Sequence, residues 1–309
     1  MILEAFNTPV FAKDLRGDLR FNESMASHNS WRAGGVADSF YLPADLEDLQ
    51  VFIASRPITE EVLWIGLGSN LLVRDGGVRG TVICTCNRLK GISPDPGGLL
   101  RVEAGVPCAH VAKYCAEHGF VGAEFLAGIP GTMGGALAMN AGAFGGETWD
   151  LVAGVTTIDR HGDLHRRLPS DYEIGYRSVR GSRAEWFVGC ELRLESGDAG
   201  AGRAKIKALL ARRGETQPTN MPSCGSVFRN PQGDYSARLI EASDLKGFRI
   251  GDAQVSEKHA NFIVNVGQAK ARDIEALILH VQREVHRVQG VELIPEVRIV
   301  GCQEAMQDE

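Results

Sequence analysis

The chain has 309 residues, 44% of them hydrophobic and 23% charged, with a formal net charge of −6. This is an ordinary globular composition, long enough for two cores, and its acidic balance argues against nucleic-acid binding or a basic membrane patch. The seven cysteines lack paired spacing and read as reduced thiols, and neither a run of about eighteen apolar residues nor a signal-peptide pattern is present, so the expected location is the cytoplasm.

Residues 1–24 read as an N-terminal extension with one short helix. A strand is predicted over 37–42, then a helix over 43–53, where Leu46, Leu49, Phe52 and Ile53 recur at helical spacing. Strands follow over 62–67, 71–73, 81–84 and 100–104, and a helix over 108–118 is ended by Gly119. Two more strands are predicted over 151–159 and 185–194. The small, polar run 198–203 reads as a hinge before a helix over 204–213, which places a domain boundary there. Beyond it come a helix over 235–243, a strand over 261–265 and an amphipathic helix over 271–288. That helix carries Ile274, Leu277, Ile278, Val281 and Val285 on one face and ends at Gly290. The last strand is predicted over 291–300, and 303–309 reads as a tail.

Two glycine-rich segments stand out. Ala127-Gly-Ile-Pro-Gly-Thr-Met-Gly-Gly-Ala-Leu-Ala-Met-Asn-Ala-Gly-Ala-Phe-Gly-Gly146 is free of charge until its end and too apolar for a linker. It reads as backbone wrapped around a flat or anionic ligand, or else as a close-packed core turn. In the second, Gly66, Gly68, Ser69 and Asn70 follow a buried strand and can present successive N–H groups to an anion. No Gly-Lys-Ser/Thr follows and no third glycine opens a helix, so neither a Walker loop nor a Rossmann turn is present. Together they point to one extended ligand with a phosphate region.

Six motifs then occur in order. Ser30-Trp-Arg-Ala-Gly-Gly35, Gly66-Leu-Gly-Ser-Asn-Leu-Leu-Val73 and Ala127-Gly-Ile-Pro-Gly-Thr-Met-Gly-Gly135 resemble the flavin-binding signatures of the UDP-N-acetylenolpyruvoylglucosamine reductases. Tyr176-Arg-Ser178, Gly225-Ser-Val-Phe-Arg-Asn-Pro231 and Pro295-Glu-Val-Arg298 resemble that family's active-site motifs. The resemblance implies an α+β protein: a two-part FAD-binding domain of the vanillyl-alcohol-oxidase type over 25–198, divided near residue 75, and an α+β substrate-binding domain over 199–290. Residues 291–309 would then return a strand to the active-site region. It implies noncovalent FAD, NADPH as co-substrate, and reduction of UDP-N-acetylglucosamine enolpyruvate in peptidoglycan synthesis. No nucleic acid, membrane insertion or obligate protein partner is expected.

The resemblance also assigns residues. FAD contacts fall on Arg32, Gly34, Gly66, Gly68, Ser69, Asn70, Leu71, Ala127, Gly128, Ile129, Gly131, Thr132, Gly134, Gly135, Asn140, Gly142 and Arg298. Substrate contacts fall on Tyr176, Asn230 and His259, the last expected to face the diphosphate, with Arg212 and Arg213 as further candidates. Reduction of a vinyl ether needs a cation for the developing enolate and an acid for its α-carbon. Arg177 is assigned the first role and Ser226 the second, with Cys224 as a neighbouring alternative; Glu296 is to hold a proton or orient a partner. Residues 177–196 leave no room for the tyrosine loop that some members insert, so this chain resembles the shorter class. A related flavoenzyme with flavin tethered through His or Cys, and a non-enzymatic nucleotide binder, are the competing readings.

Overall fold

The computed structural model describes residues 15–182 and 184–304. Its first sheet runs in the order Asp18–Ser24, Val36–Leu42, Val78–Cys84, Val62–Ile65, antiparallel at the first pairing and parallel at the other two. Part of the expected N-terminal extension is therefore an edge strand. The short helix expected there is not found over 15–24, and residues 1–14 lie outside the described part, as do 305–309 of the expected tail. Helix α1 (Leu46–Ala54) starts where the Asp45 carboxylate accepts the Asp48 N–H at 3.0 Å. Its period packs Leu49, Phe52 and Ile53 against Tyr41 and Ile83 of the sheet.

The second sheet is wholly antiparallel, in the order Leu164–Arg167, Val152–Asp159, Glu185–Leu192, Leu100–Glu103, Ile92–Pro94. Alternation along Glu185–Leu192 buries Val188, Cys190 and Leu192. Helices α2 (Cys108–Glu117) and α3 (Met133–Met139) share a core with this sheet, where Val111, Cys115, Met133 and Leu137 meet Val102, Val155 and Leu192. Helix α4 (Ala199–Thr216) follows, and it corrects the expected hinge at 198–203. Asp198 caps the helix, and Gly202 is buried in its first turns with room for its neighbour only: an added Cβ would lie 3.3 Å from that of Ala116 on α2. Gly202 thus serves close helix packing, and the exposed small residues around it continue the same helix.

The third unit holds the short antiparallel sheet Arg249–Ile250, Ala253–Val255, Ile263–Asn265 with helices α5 (Ser236–Glu241) and α6 (Ala271–Gln289). The apolar face of α6 is buried as its spacing predicts, and Gly290 closes it in the left-handed conformation at φ 70°. Its N-terminus is capped from the first unit, where Asp75 accepts the N–H groups of Ala271 and Arg272 at 3.0 and 2.9 Å. Arg74 binds Glu275 through Nε and Nη2 at 3.0 and 2.8 Å, and buried Trp31 donates to the Ile263 carbonyl at 2.7 Å. The expected strand over 291–300 is regular only at Arg298–Val300, which pairs in parallel with Leu71–Val73. The stretch before it instead makes a bridge between Pro295 and Phe228. These ties fix the third unit against the first; the first two sheets share a core in which Ile158 and Val188 meet Tyr41 and Phe52, and all three units contribute to one cleft.

Candidate active site

The cleft holds two adjoining cavities of about 530 and 280 Å³. Both are lined by Ser69, Asn70, Ile129, Met139, Arg177 and Glu296. The larger is a groove between the first two sheets. Gly66–Leu71 lines it beside Gly131, Thr132, Gly134 and Gly135, so close that an added Cβ on Gly66 would lie 2.1 Å from Thr132 Oγ1, and Trp64, Tyr172, Trp186 and Phe187 supply an aromatic wall. Arg229 and Arg298 add positive charge.

Two glycines show different reasons for the same residue. Gly68 has φ +66°, and a Cβ there would meet the His28 carbonyl oxygen at 2.0 Å, so it makes the tight turn of the loop. At Gly135 the nearest atom to an added Cβ is Thr132 Oγ1 at 4.0 Å, so its backbone faces open groove. Thr132 Oγ1 is itself enclosed without a protein partner. A long groove of exposed backbone, aromatic faces and cations fits a flavin dinucleotide, whose flat ring needs apolar walls and whose diphosphate needs N–H donors.

The smaller cavity carries the titratable groups. Arg177 sits at the turn joining the strands Glu173–Gly175 and Ser178–Arg180, at φ 52°. Its side chain is folded inward, donating from Nη1 to the Asn140 carbonyl at 3.3 Å and from Nη2 to the Gly142 carbonyl at 2.7 Å. Nε lies 3.1 Å from Glu296 Oε1 but is not aimed along a hydrogen bond. Each terminal nitrogen thus keeps one N–H for a ligand. Tyr176 stacks on the guanidinium at 5.1 Å and stays half-exposed at the rim.

Ser226 and Glu296 come from neighbouring extended segments. The Glu296 N–H donates to the Val227 carbonyl at 2.7 Å, and Arg229 N–H donates to Ile294 at 2.9 Å. Asn70 clamps the second segment, its side-chain amide donating to the Glu296 carbonyl at 3.0 Å while its own carbonyl accepts from Arg298 N–H at 3.1 Å. Burial pushes the Glu296 carboxyl above the ordinary carboxylate range, against the lowering influence of Arg177 and Arg229. A group so placed is suited to carrying a proton. Cys224 also lines this cavity, but its thiol lies 3.4 Å from the Leu71 carbonyl, and burial pushes its pKa up to about 12. It closes the glycine turn and leaves Ser226 as the hydroxyl at the cavity.

Of the other expected contacts, Gly128, Ile129, Gly142, Tyr176 and Asn230 line the smaller cavity. Asn230 also uses its side-chain oxygen to accept the Ser236 N–H at 3.1 Å, at the start of α5. Five expected residues line neither cavity. Arg32 is exposed, and Gly34 lies against Val73, where an added Cβ would meet the carbonyl oxygen at 2.5 Å. Ala127 is buried in the core of the second unit. Asn140 is enclosed and spends its side chain on protein groups. His259 packs edge-on to Phe262 and is kept neutral by burial, outside the cavity that Phe262 lines. The structure places these five outside both cavities.

Arg213 of α4 does reach the smaller cavity, where burial lowers its pKa, while Arg212 does not line it. Sequence reasoning passed over Arg229, although it stands inside the Ser226 motif, and the aromatic wall of the groove. The signal for Arg229 was a cation two residues before Pro231 in an extended run; the wall had none, since its members come from two separate strands and a loop.

Comparison with known proteins agrees with this geometry. A family model for the C-terminal domain of UDP-N-acetylenolpyruvoylglucosamine reductase matches residues 217–300, and one for an FAD-binding domain matches residues 37–167. The chain is 60% identical over 286 residues to the UDP-N-acetylenolpyruvoylglucosamine reductase of Methylococcus capsulatus, covering 93% of this chain and 94% of that one. It is 49% identical over 306 residues to the enzyme of the same name from Coxiella burnetii, covering 93% and 97%. The crystal structure of UDP-N-acetylenolpyruvylglucosamine reductase from Thermus caldophilus matches with a TM-score of 0.77 and 31% identity, covering 92% of this chain and 99% of that one. With its two-part FAD-binding region, its C-terminal substrate domain and these relatives, the chain belongs to the UDP-N-acetylenolpyruvoylglucosamine reductase family.

Proposed function

We infer that this protein carries out the NADPH-dependent, FAD-mediated reduction of UDP-N-acetylglucosamine enolpyruvate to UDP-N-acetylmuramate, a step of peptidoglycan synthesis, in the cytoplasm. The observation that carries the reading is the meeting of Arg177, Ser226 and Glu296 at a small cavity that joins a glycine-lined groove. FAD, when bound, supplies hydride chemistry, taking hydride from NADPH and passing it to the enolpyruvyl β-carbon. Gly66–Leu71 and the 131–135 backbone would hold it noncovalently, with Arg298 beside them.

The remaining work falls to this chain. Arg177 keeps one N–H on each terminal nitrogen for the enolpyruvyl carboxylate, on which negative charge grows as the β-carbon is reduced. Because two backbone carbonyls fix the guanidinium beforehand, little reorganisation is needed at the moment of reaction. Ser226 delivers the proton to the α-carbon, a strong enough base to take it from a hydroxyl. Glu296, its pKa raised by burial, is placed to orient that exchange and to hold a proton beside the enolate.

Purified protein with NADPH and UDP-N-acetylglucosamine enolpyruvate tests the reading. Ping-pong kinetics, substrate inhibition and UDP-N-acetylmuramate as product are expected. Tight UDP-sugar binding by a colourless protein without turnover would favour the nucleotide-binding reading instead.

A further inference from the structure

We propose that Asn140 is a positioning residue for Arg177, setting the guanidinium against the enolpyruvyl carboxylate without touching either ligand; this rests on the reductase reading above. Asn140 ends α3 in the left-handed conformation at φ 48° and is 1% exposed. Its side-chain nitrogen donates to Glu147 Oε2 at 2.8 Å and to the Gly175 carbonyl at 3.1 Å. Its side-chain oxygen accepts the Trp149 N–H at 3.1 Å. The orientation of the amide is fixed by chemistry, since a carboxylate and a carbonyl only accept and a backbone N–H only donates.

The consequence lies at Arg177. Gly175 is the residue before the two-residue turn, and the Arg177 guanidinium is what the turn delivers. Asn140 holds both, the first through its amide and the second through its own carbonyl. Arg177 occupies left-handed backbone at φ 52°, unfavourable for a non-glycine residue unless its surroundings impose it. The same residue terminates the helix whose Gly134, Gly135 and Ala138 line the groove. Asn140 therefore sets the spacing between groove and guanidinium, and a small error there misplaces the cation.

Two substitutions separate this role from a cofactor contact. Asn140→Gly keeps the left-handed backbone and the carbonyl at no steric cost while deleting the amide. Asn140→Asp keeps size but turns a donor into an acceptor facing Glu147 and Gly175, and adding Glu147→Gln returns a donor to that contact. Flavin-loaded proteins are reduced by NADPH, then mixed with UDP-N-acetylglucosamine enolpyruvate under single-turnover conditions, and flavin affinity is measured apart.

In both single variants, flavin reoxidation by substrate is expected to fall at least about tenfold at saturating substrate. Flavin affinity and reduction by NADPH should change less than about threefold, and Asn140→Asp/Glu147→Gln should recover only the part of the loss that arises at Glu147, since the Gly175 contact stays broken. Weakened flavin binding with normal reoxidation of the bound fraction would make Asn140 a cofactor residue and overturn the proposal. Equal loss in both half-reactions, or no change in the glycine variant, would overturn it as well. If the unaltered protein is not reoxidised by this substrate, the reductase reading itself falls, an outcome distinct from the others.

Discussion

Arg177 and Glu296 stand 3.1 Å apart between Nε and Oε1, yet the glutamate's pKa is raised rather than lowered. Burial outweighs the lowering influence of the cation, whose Nε is not aligned with the carboxyl. The arginine is held to face a ligand, and the glutamate can keep a proton beside it.

From this pair follows a prediction on charge geometry. Arg177→Lys keeps the charge but loses the planar fork, so flavin reoxidation by substrate should fall about 10²-fold even at saturation. Reduction by NADPH should be nearly unaffected. Loss confined to substrate affinity would mean that Arg177 only binds.

Glu296 gives a pH dependence with a definite sign. Its folded pKa lies above the ordinary value, so the proton is present at low pH and is lost as pH rises through that raised pKa. The rate of flavin reoxidation should fall along that limb. Glu296→Gln should abolish the limb and most of the turnover while still binding the UDP-sugar. A glutamine variant with the full pH profile would assign the titration elsewhere.

Ser226→Ala should leave reduction by NADPH intact, because that half-reaction uses no protein acid. Reoxidation by substrate should slow by at least about 10²-fold. Equal loss in both steps would point to a structural role.

The groove can be tested at a position whose added side chain meets no backbone. Gly135→Val should give folded, colourless protein, because the new side chain enters open groove. Gly68→Val is the contrast: left-handed backbone and the His28 carbonyl at 2.0 Å from the added Cβ make it a folding mutation. Flavin absorbance and far-ultraviolet circular dichroism on both variants decide it; full flavin in folded Gly135→Val would remove this segment from the cofactor site.

Asp75 links the first unit to α6 by capping two N–H groups of another element. Asp75→Ala should cost about 0.5–2 kcal/mol in denaturant unfolding. An unchanged midpoint would show that water replaces the cap without penalty.

What the sequence made legible was whatever repeats locally. The spacing of Ile274, Leu277, Ile278, Val281 and Val285 specified α6 and its buried face, and motif residues Ser226, Glu296 and Arg177 do share a cavity. What it hid were roles set by distant partners. Asn140 looked like a cofactor ligand because it lies in a glycine-rich run, but its amide is consumed by Glu147 and Gly175. Residues 198–203 looked like a hinge because small residues signal flexibility, but they open α4, and Gly202 uses its lack of bulk against α2. His259 was expected at the diphosphate, but it packs edge-on to Phe262, which lines the cavity while His259 does not.

The most direct measurement is anaerobic. Flavin-loaded protein is bleached with one equivalent of NADPH, and UDP-N-acetylglucosamine enolpyruvate is added while flavin absorbance is followed. Rapid recovery of oxidised flavin with stoichiometric UDP-N-acetylmuramate is the predicted result. Reduced flavin that persists in the presence of this substrate would contradict the account.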